Sequence, residues 1–393
     1  MKILFISPEL PWPLDTGGKI RSFNILKELA KEHQIILLCF GNIENYGPLK
    51  DYCQRIYTVP FNLGLVKKIF NLLRSFISEK PMKVLNFYSS SFKKELLKIL
   101  KKEKPDVLYF EHIYMAQYLN EISQKNKYFK IFDTHNIYFR FFKSLSKSKN
   151  WLKAFANKSQ ITKMKDYEAK IAASFDLVCV CSEGDKKSLL ESAPAAKIEI
   201  VPNGVDLSLY KDLKITEKEN NLLFIGSFDH FPNEEGVVWF IQKIFPKIKE
   251  MVPDITLTLV GRKPPSSVLK FEKDPTVKVL GYIEDIRSYL QKSKALIVPL
   301  LSGGGTRLKI LEAMAAKIPV VSTKIGAEGL EVLDGQNILI ADSEEEFAQK
   351  VIQLLLDERL SQNIIKNAFY LVKKEYDWSV CAQKLRKILC QLS

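Results

Sequence analysis

One stretch, residues 295–329, restricts the fold of this chain more than any other. It begins with the apolar run ALIVPLL, passes through the turn SGGG into the helical pattern TRLKILEAMAA, and reaches the apolar run PVVST. Glycines before a helix let the backbone approach a ligand, and the free N–H groups of the first turn attract anions. The stretch therefore predicts a strand–helix–strand unit of a parallel sheet, with an anion site at the first turn.

Charged side chains favour that anion site. The helix is predicted to begin near Thr306, with Arg307 and Lys309 in its first turn and Glu312 on a compatible face. Cations are unfavourable at a helix N-terminus unless a doubly charged anion lies there. A carboxylate at Glu312 could accept both hydroxyls of a ribose. A glycine-rich turn alone is as well explained by a structural role, but with these charges the stretch predicts a nucleoside diphosphate pocket.

Apolar strands and amphipathic helices alternate along the rest of the chain. The run KILFIS (2–7), a helix over about 18–32 and the run QIILLCF form an opening βαβ unit, with Gly17 and Gly18 at its turn. Such turns lie at the carboxyl ends of strands, where open α/β sheets bind ligands. This one lacks G-x-G-x-x-G, so it does not indicate a nicotinamide site.

The length of 393 residues predicts two domains, because single cores rarely exceed about 250–300 residues. The expected fold is α/β, with two Rossmann-like domains facing each other across a ligand-binding cleft, and a helical C-terminal tail. Residues 1–206 are predicted as the first domain, 207–220 as a polar linker and 221–375 as the second domain. Within the second domain, a single helix is expected from about Pro232 to Met251. A helix over 376–393 is expected to cross back to the first domain.

The net charge of +14 and pI near 9.2 indicate an anionic partner, either a phosphorylated ligand, an acidic membrane or nucleic acid. Two basic regions, 62–104 and 140–170, contain interleaved apolar residues. They are either solvated helix faces or a docking surface for anionic lipid. No nucleic-acid-binding motif accompanies the charge, so nucleic acid is not an expected partner.

The six cysteines show neither a C-x-x-C pair nor metal-ligand spacing, which favours a reduced protein. The N-terminus is too weakly apolar for a signal peptide, and no stretch approaches the length of a membrane span. The expected location is therefore cytoplasmic, or peripheral on the inner face of the cytoplasmic membrane.

Polar residues at strand ends are candidates for chemistry. His135, in FDTHN, follows one predicted strand, His112 follows another, and Arg262 follows ITLTLVG. A turn histidine that bonds to backbone is an equally good explanation for His135 from position alone. Asn203 and Gly204 are more simply a turn. No H-E-x-x-H or similar cluster indicates a metal, so no metal cofactor is expected.

Taken together, the motifs resemble the retaining glycosyltransferases of family 4, which have the GT-B fold. The matching segments are MKILFISPELPWPLDTGGKIRSFNILKELA, FDTHN, VPNGVD, LTLVG, VKVLGYIEDI and PLLSGGGTRLKILEAMAAKIPVVST. They occur in the family's order and extend over nearly the whole chain. The resemblance implies metal-independent transfer of a sugar from a nucleotide-sugar donor to a glycan or lipid-linked acceptor, with retention of configuration.

The resemblance also assigns roles to residues. Arg307 and Lys309 would bind the diphosphate, Glu312 the ribose hydroxyls, and His135 would lie at the reacting sugar. The turn at Gly17 and Gly18 would approach the phosphate. Further donor contacts are expected at residues that match the family's motifs in the second domain: Ser227, Arg262, Tyr282, Ile283, Gly303, Gly304, Gly305 and Thr306.

Two departures from the family pattern leave alternatives open. Many members carry a glutamate eight positions before the one at Glu312, where this chain has Gly304. Many also carry an Arg and a Lys after the strand that opens the second domain, where this chain reads GSFDH. The alternatives are a nucleotide-sugar-binding relative without transfer activity and a sugar-nucleotide 2-epimerase.

Overall fold

The computed structural model describes residues 1–42, 46–139, 151–213 and 218–392, without the side chains of residues 125 and 151–159. The predicted basic region 140–170 therefore lies partly outside the described residues. The chain divides into two compact units. Unit 1 comprises Met1–Pro202 together with Cys381–Ser393, and unit 2 comprises Asn203–Val380.

Unit 1 is built on a seven-stranded parallel sheet. Its strands are β1 (Lys2–Ser7), β2 (Gln34–Phe40), β3 (Cys53–Val59), β4 (Val107–Glu111), β5 (Phe129–Asp133), β6 (Leu177–Val180) and β7 (Ile198–Ile200). Its helices are α1 (Gly17–Leu29), α2 (Leu49–Tyr52), α3 (Leu65–Ile77), α4 (Met82–Asn86), α5 (Ser90–Glu103), α6 (His112–Ala116), α7 (Trp151–Ala172) and α8 (Glu183–Leu190). Two short 3₁₀ segments, Gln117–Glu121 and Lys125–Lys127, precede β5.

Unit 2 is built on a six-stranded parallel sheet. Its strands are β8 (Glu219–Ile225), β9 (Thr256–Val260), β10 (Val277–Leu280), β11 (Ser293–Val298), β12 (Val320–Ser322) and β13 (Leu339–Ile340). Its helices are α9 (Phe231–Trp239), α10 (Phe245–Met251), α11 (Ser266–Leu269), α12 (Arg287–Lys292), α13 (Leu308–Ala315), α14 (Glu344–Leu356), α15 (Glu358–Leu371) and α16 (Trp378–Cys381), whose last residue returns to unit 1. The helix α17 (Gln383–Cys390) follows and belongs to unit 1.

The two sheets confirm the predicted α/β class with two Rossmann-like domains. Strands such as β1 and β2 are buried along most of their length, as expected of a parallel sheet covered by helices on both faces. The edge strands β3 and β7 are missing from the sequence prediction. Their burial is interrupted by exposed or half-buried residues, so neither gives a continuous apolar run.

Strand order locates the place in each sheet where ligands are expected. The orders are β3-β2-β1-β4-β5-β6-β7 and β10-β9-β8-β11-β12-β13. In each sheet the chain first builds outward in one direction and then returns to the other side of its starting strand. The switch points lie between β1 and β4 and between β8 and β11. Loops at the carboxyl ends of these strands form the ligand-binding crevice of open α/β sheets.

Two predicted segments differ from the structure. The single helix predicted near 232–251 is interrupted by a π-helical turn, Phe240–Ile244. Pro246 lies at the start of α10, and a proline removes the N–H that a continuous helix needs. Residues 207–220, predicted as a linker, fall within unit 2; they include a 3₁₀ turn, Leu207–Tyr210, and the start of β8.

The C-terminal segment packs within unit 1. Arg386 of α17 contacts Glu28 of α1 with an Nη1 to Oε2 distance of 2.9 Å, and Leu385 and Leu389 are fully buried. Among the described helices, none is long and apolar enough to cross a membrane.

Candidate active site

In unit 2 the candidate site lies where β11 leads through a glycine-rich turn into α13. Gly303 and Gly305 have positive φ angles of 108° and 85°, a region that favours glycine. A Cβ atom at Gly303 would also lie 3.1 Å from Nη2 of Arg307. Gly304 is different, because a Cβ atom there would meet nothing within 4 Å. The turn therefore depends on the first and third glycines, and the middle position has room for a side chain.

Arg307 is the N-cap of α13, so the prediction that it lies in the first helical turn is wrong. The helix begins at Leu308 because the glycine turn and an extended Arg307 backbone (φ −89°, ψ 90°) precede it. The guanidinium folds back on the turn, and its Nη1 donates to the carbonyls of Gly304 and, at 2.7 Å, of Gly305. Its buried Nε and Nη2 atoms have no hydrogen-bond partner among the described residues.

Lys309 lies in the first turn of α13, as predicted. Its Nζ is 3.2 Å from Oδ1 of Asn233 and 4.6 Å from the ring centroid of Phe224. The pKa of Lys309 is lowered to about 7, chiefly by burial and then by the charge of Arg307, while the charge of Glu312 opposes both effects. An anion bound here would restore the charged form, since opposite charge favours ionisation.

Glu312 lies three residues along the same helix from Lys309. Burial raises the pKa of Glu312 to about 7, and the charge of Lys309 opposes that rise. Burial, followed by the charge of Glu312, also raises the pKa of Tyr210. The Glu312 carboxylate therefore interacts electrostatically with Lys309 and Tyr210, and the sequence analysis missed Tyr210.

The end of β8 approaches this turn closely. A Cβ atom at Gly226 would lie 2.8 Å from both Nζ of Lys309 and Oδ1 of Asn233. The Asn233 amide in turn donates to the carbonyl of Ser227 at 2.7 Å. The backbone N–H of Phe228 donates to the carbonyl of Arg262 at 3.0 Å. Ser227 and Arg262 therefore follow the adjacent strands β8 and β9, and they lie at the same carboxyl ends of the strands as Lys309.

The other two predicted donor residues follow the edge strand β10, two strands away from β8. Tyr282 is 53% exposed, whereas Ile283 is partly buried against the core beneath α13. The sequence analysis did not select Asn233 as a site residue. Its position shortly after the end of β8 was the signal that could have identified it.

In unit 1 the candidate site lies at the carboxyl ends of β4 and β5. Asp133 ends β5 and is fully buried. Arg21 of α1 donates to it through Nη2 at 2.7 Å and Nε at 3.2 Å, and the Tyr109 hydroxyl donates at 2.7 Å. Burial alone would raise the pKa of Asp133. The charges of Arg21 and His135 and the hydrogen bonds from Arg21 and Tyr109 together outweigh burial, so the pKa is lowered. The pair holds α1 against the strand ends.

His135 and Glu111 lie close together beside the Arg21–Asp133 ion pair. His135 is 6% exposed and Glu111 is fully buried, with Nε2 of the histidine 3.4 Å from Oε1 of the carboxylate. The contact lacks hydrogen-bond geometry, and neither side chain has another hydrogen-bond partner among the described residues. Sequence reasoning selected His135 but missed Glu111, which directly precedes the rival candidate His112.

His112 packs against His135 with ring centroids 3.9 Å apart. Its backbone has a φ of 60°, unusual for a residue other than glycine. Its Nδ1 lies 3.0 Å from the Tyr138 hydroxyl, and burial lowers its pKa well below the usual value. A Cβ atom at Gly18 would lie 3.7 Å from His135 and 3.9 Å from His112. The predicted glycine turn at the start of α1 therefore covers the two imidazoles.

Comparison with known proteins identifies the family. The profile described as Glycosyltransferase Family 4 matches residues 16–209, and the profile described as Glycosyl transferases group 1 matches residues 219–357. An uncharacterized 44.6 kDa protein in the cps region of Klebsiella pneumoniae is 26% identical over 391 residues, covering 96% of each chain.

Two further similarities agree. The UDP-Gal:alpha-D-GlcNAc-diphosphoundecaprenol alpha-1,3-galactosyltransferase of Escherichia coli is 24% identical over 400 residues, covering 92% of each chain. The crystal structure of Anabaena HepE in complex with UDP and glucose shares the fold, with a TM-score of 0.71 at 14% identity over 100% of both chains. The resemblance inferred from the motifs is confirmed, and the chain belongs to the group 1, family 4 glycosyltransferases with the GT-B fold.

Proposed function

We propose that this glycosyltransferase moves a sugar from a nucleotide-sugar donor to a glycan or lipid-linked acceptor, with retention of configuration and without a metal ion. The observation that carries the proposal is the presence of two cations, Arg307 and Lys309, at the glycine turn. Both cations are partly buried, and Arg307 has N–H groups without a partner among the residues that the structure describes. Charge-assisted hydrogen bonds from such groups suit a diphosphate.

The cations also support metal independence. A diphosphate leaving group accumulates negative charge as the sugar departs, and fixed positive groups stabilise that charge in the transition state. In unit 1, ligand atoms of Glu111, Asp133 and His135 lie within 4.8 Å of one another. Asp133 already accepts from Arg21 and Tyr109, so this cluster is a poor fit for a cation.

In the proposed reaction, the bond between the anomeric carbon and the diphosphate oxygen breaks. The acceptor oxygen forms its bond to the same face of that carbon, and its proton passes to the departing phosphate. Glu312 accepts the ribose hydroxyls, and His135 hydrogen-bonds the donor sugar and stabilises its developing positive charge. Gly17 and Gly18 present helix N–H groups to the phosphate. Ser227, Arg262, Tyr282 and Ile283 complete the donor contacts.

The acceptor class is supported by the Escherichia coli relative, whose name specifies a diphosphoundecaprenol-linked acceptor. A lipid-linked acceptor combined with a nucleotide-sugar donor would place the enzyme at the inner face of the cytoplasmic membrane.

The function can be tested with purified protein and UDP-, GDP-, ADP- and dTDP-sugars, each with a diphosphoundecaprenol-linked sugar as acceptor. We expect one donor to give a product whose anomeric configuration, read by NMR, matches that of the donor, at a rate unchanged by EDTA. Inversion, or loss of activity with EDTA, would contradict the mechanism. Interconversion of the sugar nucleotide would indicate an epimerase, and binding without turnover a non-catalytic relative.

The diphosphate site has a separate test. Arg307→Ala removes a charge-assisted contact worth about 1.5–3 kcal/mol, so nucleoside diphosphate affinity measured by calorimetry should fall by roughly 10- to 150-fold. Arg359→Ala is the control, because Arg359 is exposed on α15 of the same unit. Equal affinity in both variants would remove the central argument for the donor site.

A further inference from the structure

The helix α3 has its apolar side turned to solvent. All eight of its large apolar residues are exposed, and the outermost, Ile77, is 91% exposed. The eight residues are Leu65, Val66, Ile69, Phe70, Leu72, Leu73, Phe76 and Ile77. The buried positions are polar: Asn71 is 4% exposed and Ser75 is fully buried. This is the reverse of the usual arrangement for a helix on a globular protein.

Polar contacts fix this orientation. The Asn71 amide donates to Oδ1 of Asn86, the last residue of α4, at 3.0 Å. The Gln160 amide on α7 donates to the Ser75 hydroxyl at 3.3 Å. Nζ of Lys163 donates to the carbonyl of Ser78 at 3.0 Å, just beyond the end of α3. The polar side of α3 is thus bonded to α4 and α7, which leaves the apolar side facing outward.

The neighbouring helix α5 shows the ordinary arrangement. Its apolar residues Phe92, Leu96 and Ile99 are buried, and Lys94 is exposed. In the sequence both helices lie in one basic region, 62–104. The structure shows that their exposed faces differ. The charges of α5 belong to a solvated face, and of these two helices only α3 combines positive charge with a large exposed apolar surface.

The charge of α3 indicates what covers that surface. The helix carries Lys67, Lys68 and Arg74 and no acidic residue. Its 13 residues span about 20 Å, too short to cross a bilayer but long enough to lie along one. A second copy of the chain would bring like charges together, whereas anionic lipid headgroups complement them.

We propose that α3 docks this protein on anionic membranes, with its apolar side inserted at the interface and its cations among the headgroups. The inference rests on the packing and charge of α3 and stands independently of the proposed transfer reaction. Long cationic side chains at the border of such a face reach the headgroups while their stems lie on the apolar surface.

The test uses the full chain and flotation with phosphatidylcholine vesicles, with or without phosphatidylglycerol. The wild type should bind the anionic vesicles, and Phe70→Glu with Leu73→Glu should reduce partitioning by about 100-fold. A matched control is Leu356→Glu with Tyr370→Glu, because these residues of unit 2 are 64% and 66% exposed. The control should bind as the wild type does.

Charge and insertion are separated by two further variants. Lys68→Ala and Arg74→Ala should each weaken binding to anionic vesicles by about 5-fold. Phe70→Trp should show blue-shifted added emission with anionic vesicles, whereas Tyr370→Trp should not. The proposal is overturned if the wild type fails to bind anionic vesicles, or if the control variant loses binding equally. It is also overturned if the lipid-free wild type is an oligomer that Phe70→Glu converts to a monomer.

Discussion

The two candidate sites differ in the sign of the charge that they offer to a ligand. In unit 2, Arg307 and Lys309 provide cations, and two nitrogen atoms of Arg307, Nε and Nη2, have no partner within the described part of the chain. In unit 1, Glu111 provides a buried carboxylate beside His135, and neither has a hydrogen-bond partner there. Unsatisfied buried polar groups are costly, so retaining them in both places points to ligand contacts.

The difference suggests that the two Rossmann-like units contribute different chemistry. Cations suit a leaving diphosphate, and a carboxylate with an imidazole suits a sugar that develops positive charge at its anomeric carbon. The same switch-point position therefore carries opposite charge in the two sheets, because different residue types follow the corresponding strands.

The largest expected effect concerns the frame of the unit 1 site. Arg21→Leu leaves Asp133 buried without its cation, and breaking a buried ion pair in this way costs about 3–5 kcal/mol. Denaturant unfolding of the full chain should show this loss in the transition of unit 1. Arg287→Leu is the control, because Arg287 pairs with Asp285 in an exposed position and such pairs contribute about 0–1 kcal/mol. Equal losses would show that Arg21 does not anchor the site.

His135→Ala distinguishes the two sites by function. If His135 contacts the sugar chiefly in the transition state, turnover should fall by about 100-fold, and nucleoside diphosphate affinity should stay near the wild-type value. His112→Asn is the comparison, since asparagine tolerates the positive φ found there. Steady-state kinetics should show a smaller loss for His112→Asn. The reverse order would move the catalytic role to His112.

The pH dependence of donor binding tests the cationic site. The pKa of Lys309 is lowered to about 7, so in the free protein its charge is present below pH 7 and is lost as pH rises above it. Glu312, with its pKa raised to about 7, gains negative charge over the same range. Because the diphosphate binds the charged form of Lys309, affinity for a UDP-sugar should fall above pH 7, by up to about tenfold per pH unit.

A UDP-sugar is chosen because its diphosphate diester does not titrate near pH 7. Lys309→Arg keeps its charge throughout this range and should reduce the slope of affinity against pH. Calorimetry at several pH values checks both proteins. A slope that is identical in wild type and Lys309→Arg would show that Lys309 does not cause the fall in affinity.

The smallest effect concerns the glycine turn. Gly303→Ala places a side chain at positive φ and should destabilise unit 2 by about 1 kcal/mol. Gly304→Ala should be nearly neutral, because its Cβ atom would lie in open space. Thermal unfolding compares the two variants. Gly304→Glu should also fold, which allows the carboxylate common in the family to be restored and its effect on donor choice to be measured.

Much of the fold was predictable because parallel strands buried on both faces are continuous apolar runs. The strands β1, β2 and β9 match their predicted segments closely. β3 was not predicted because this edge strand contains exposed residues such as Arg55, which interrupt its apolar run. The helix boundary at Arg307 was misplaced because glycine torsions, rather than residue charge, decide where α13 begins.

The site was only partly predictable, because its residues meet through the fold. Lys309 was found from its position after a glycine turn, but its partner Asn233 lies 76 residues earlier. Arg21 and Asp133 are 112 residues apart, and neither stands in a recognisable pair. Local spacing can indicate which residues attract an anion; it cannot indicate which distant side chains orient them.

The return of α17 to unit 1 has a consequence for how the protein is made. Arg386 contacts Glu28, a buried carboxylate of α1, so unit 1 needs a segment that is translated after all of unit 2. At about 5–20 residues per second, synthesis of residues 203–380 takes roughly 10–40 s. During that interval the nascent unit 1 exposes the surface that Leu385 and Leu389 later cover. Unit 1 can therefore be completed only after all of unit 2 has been synthesised.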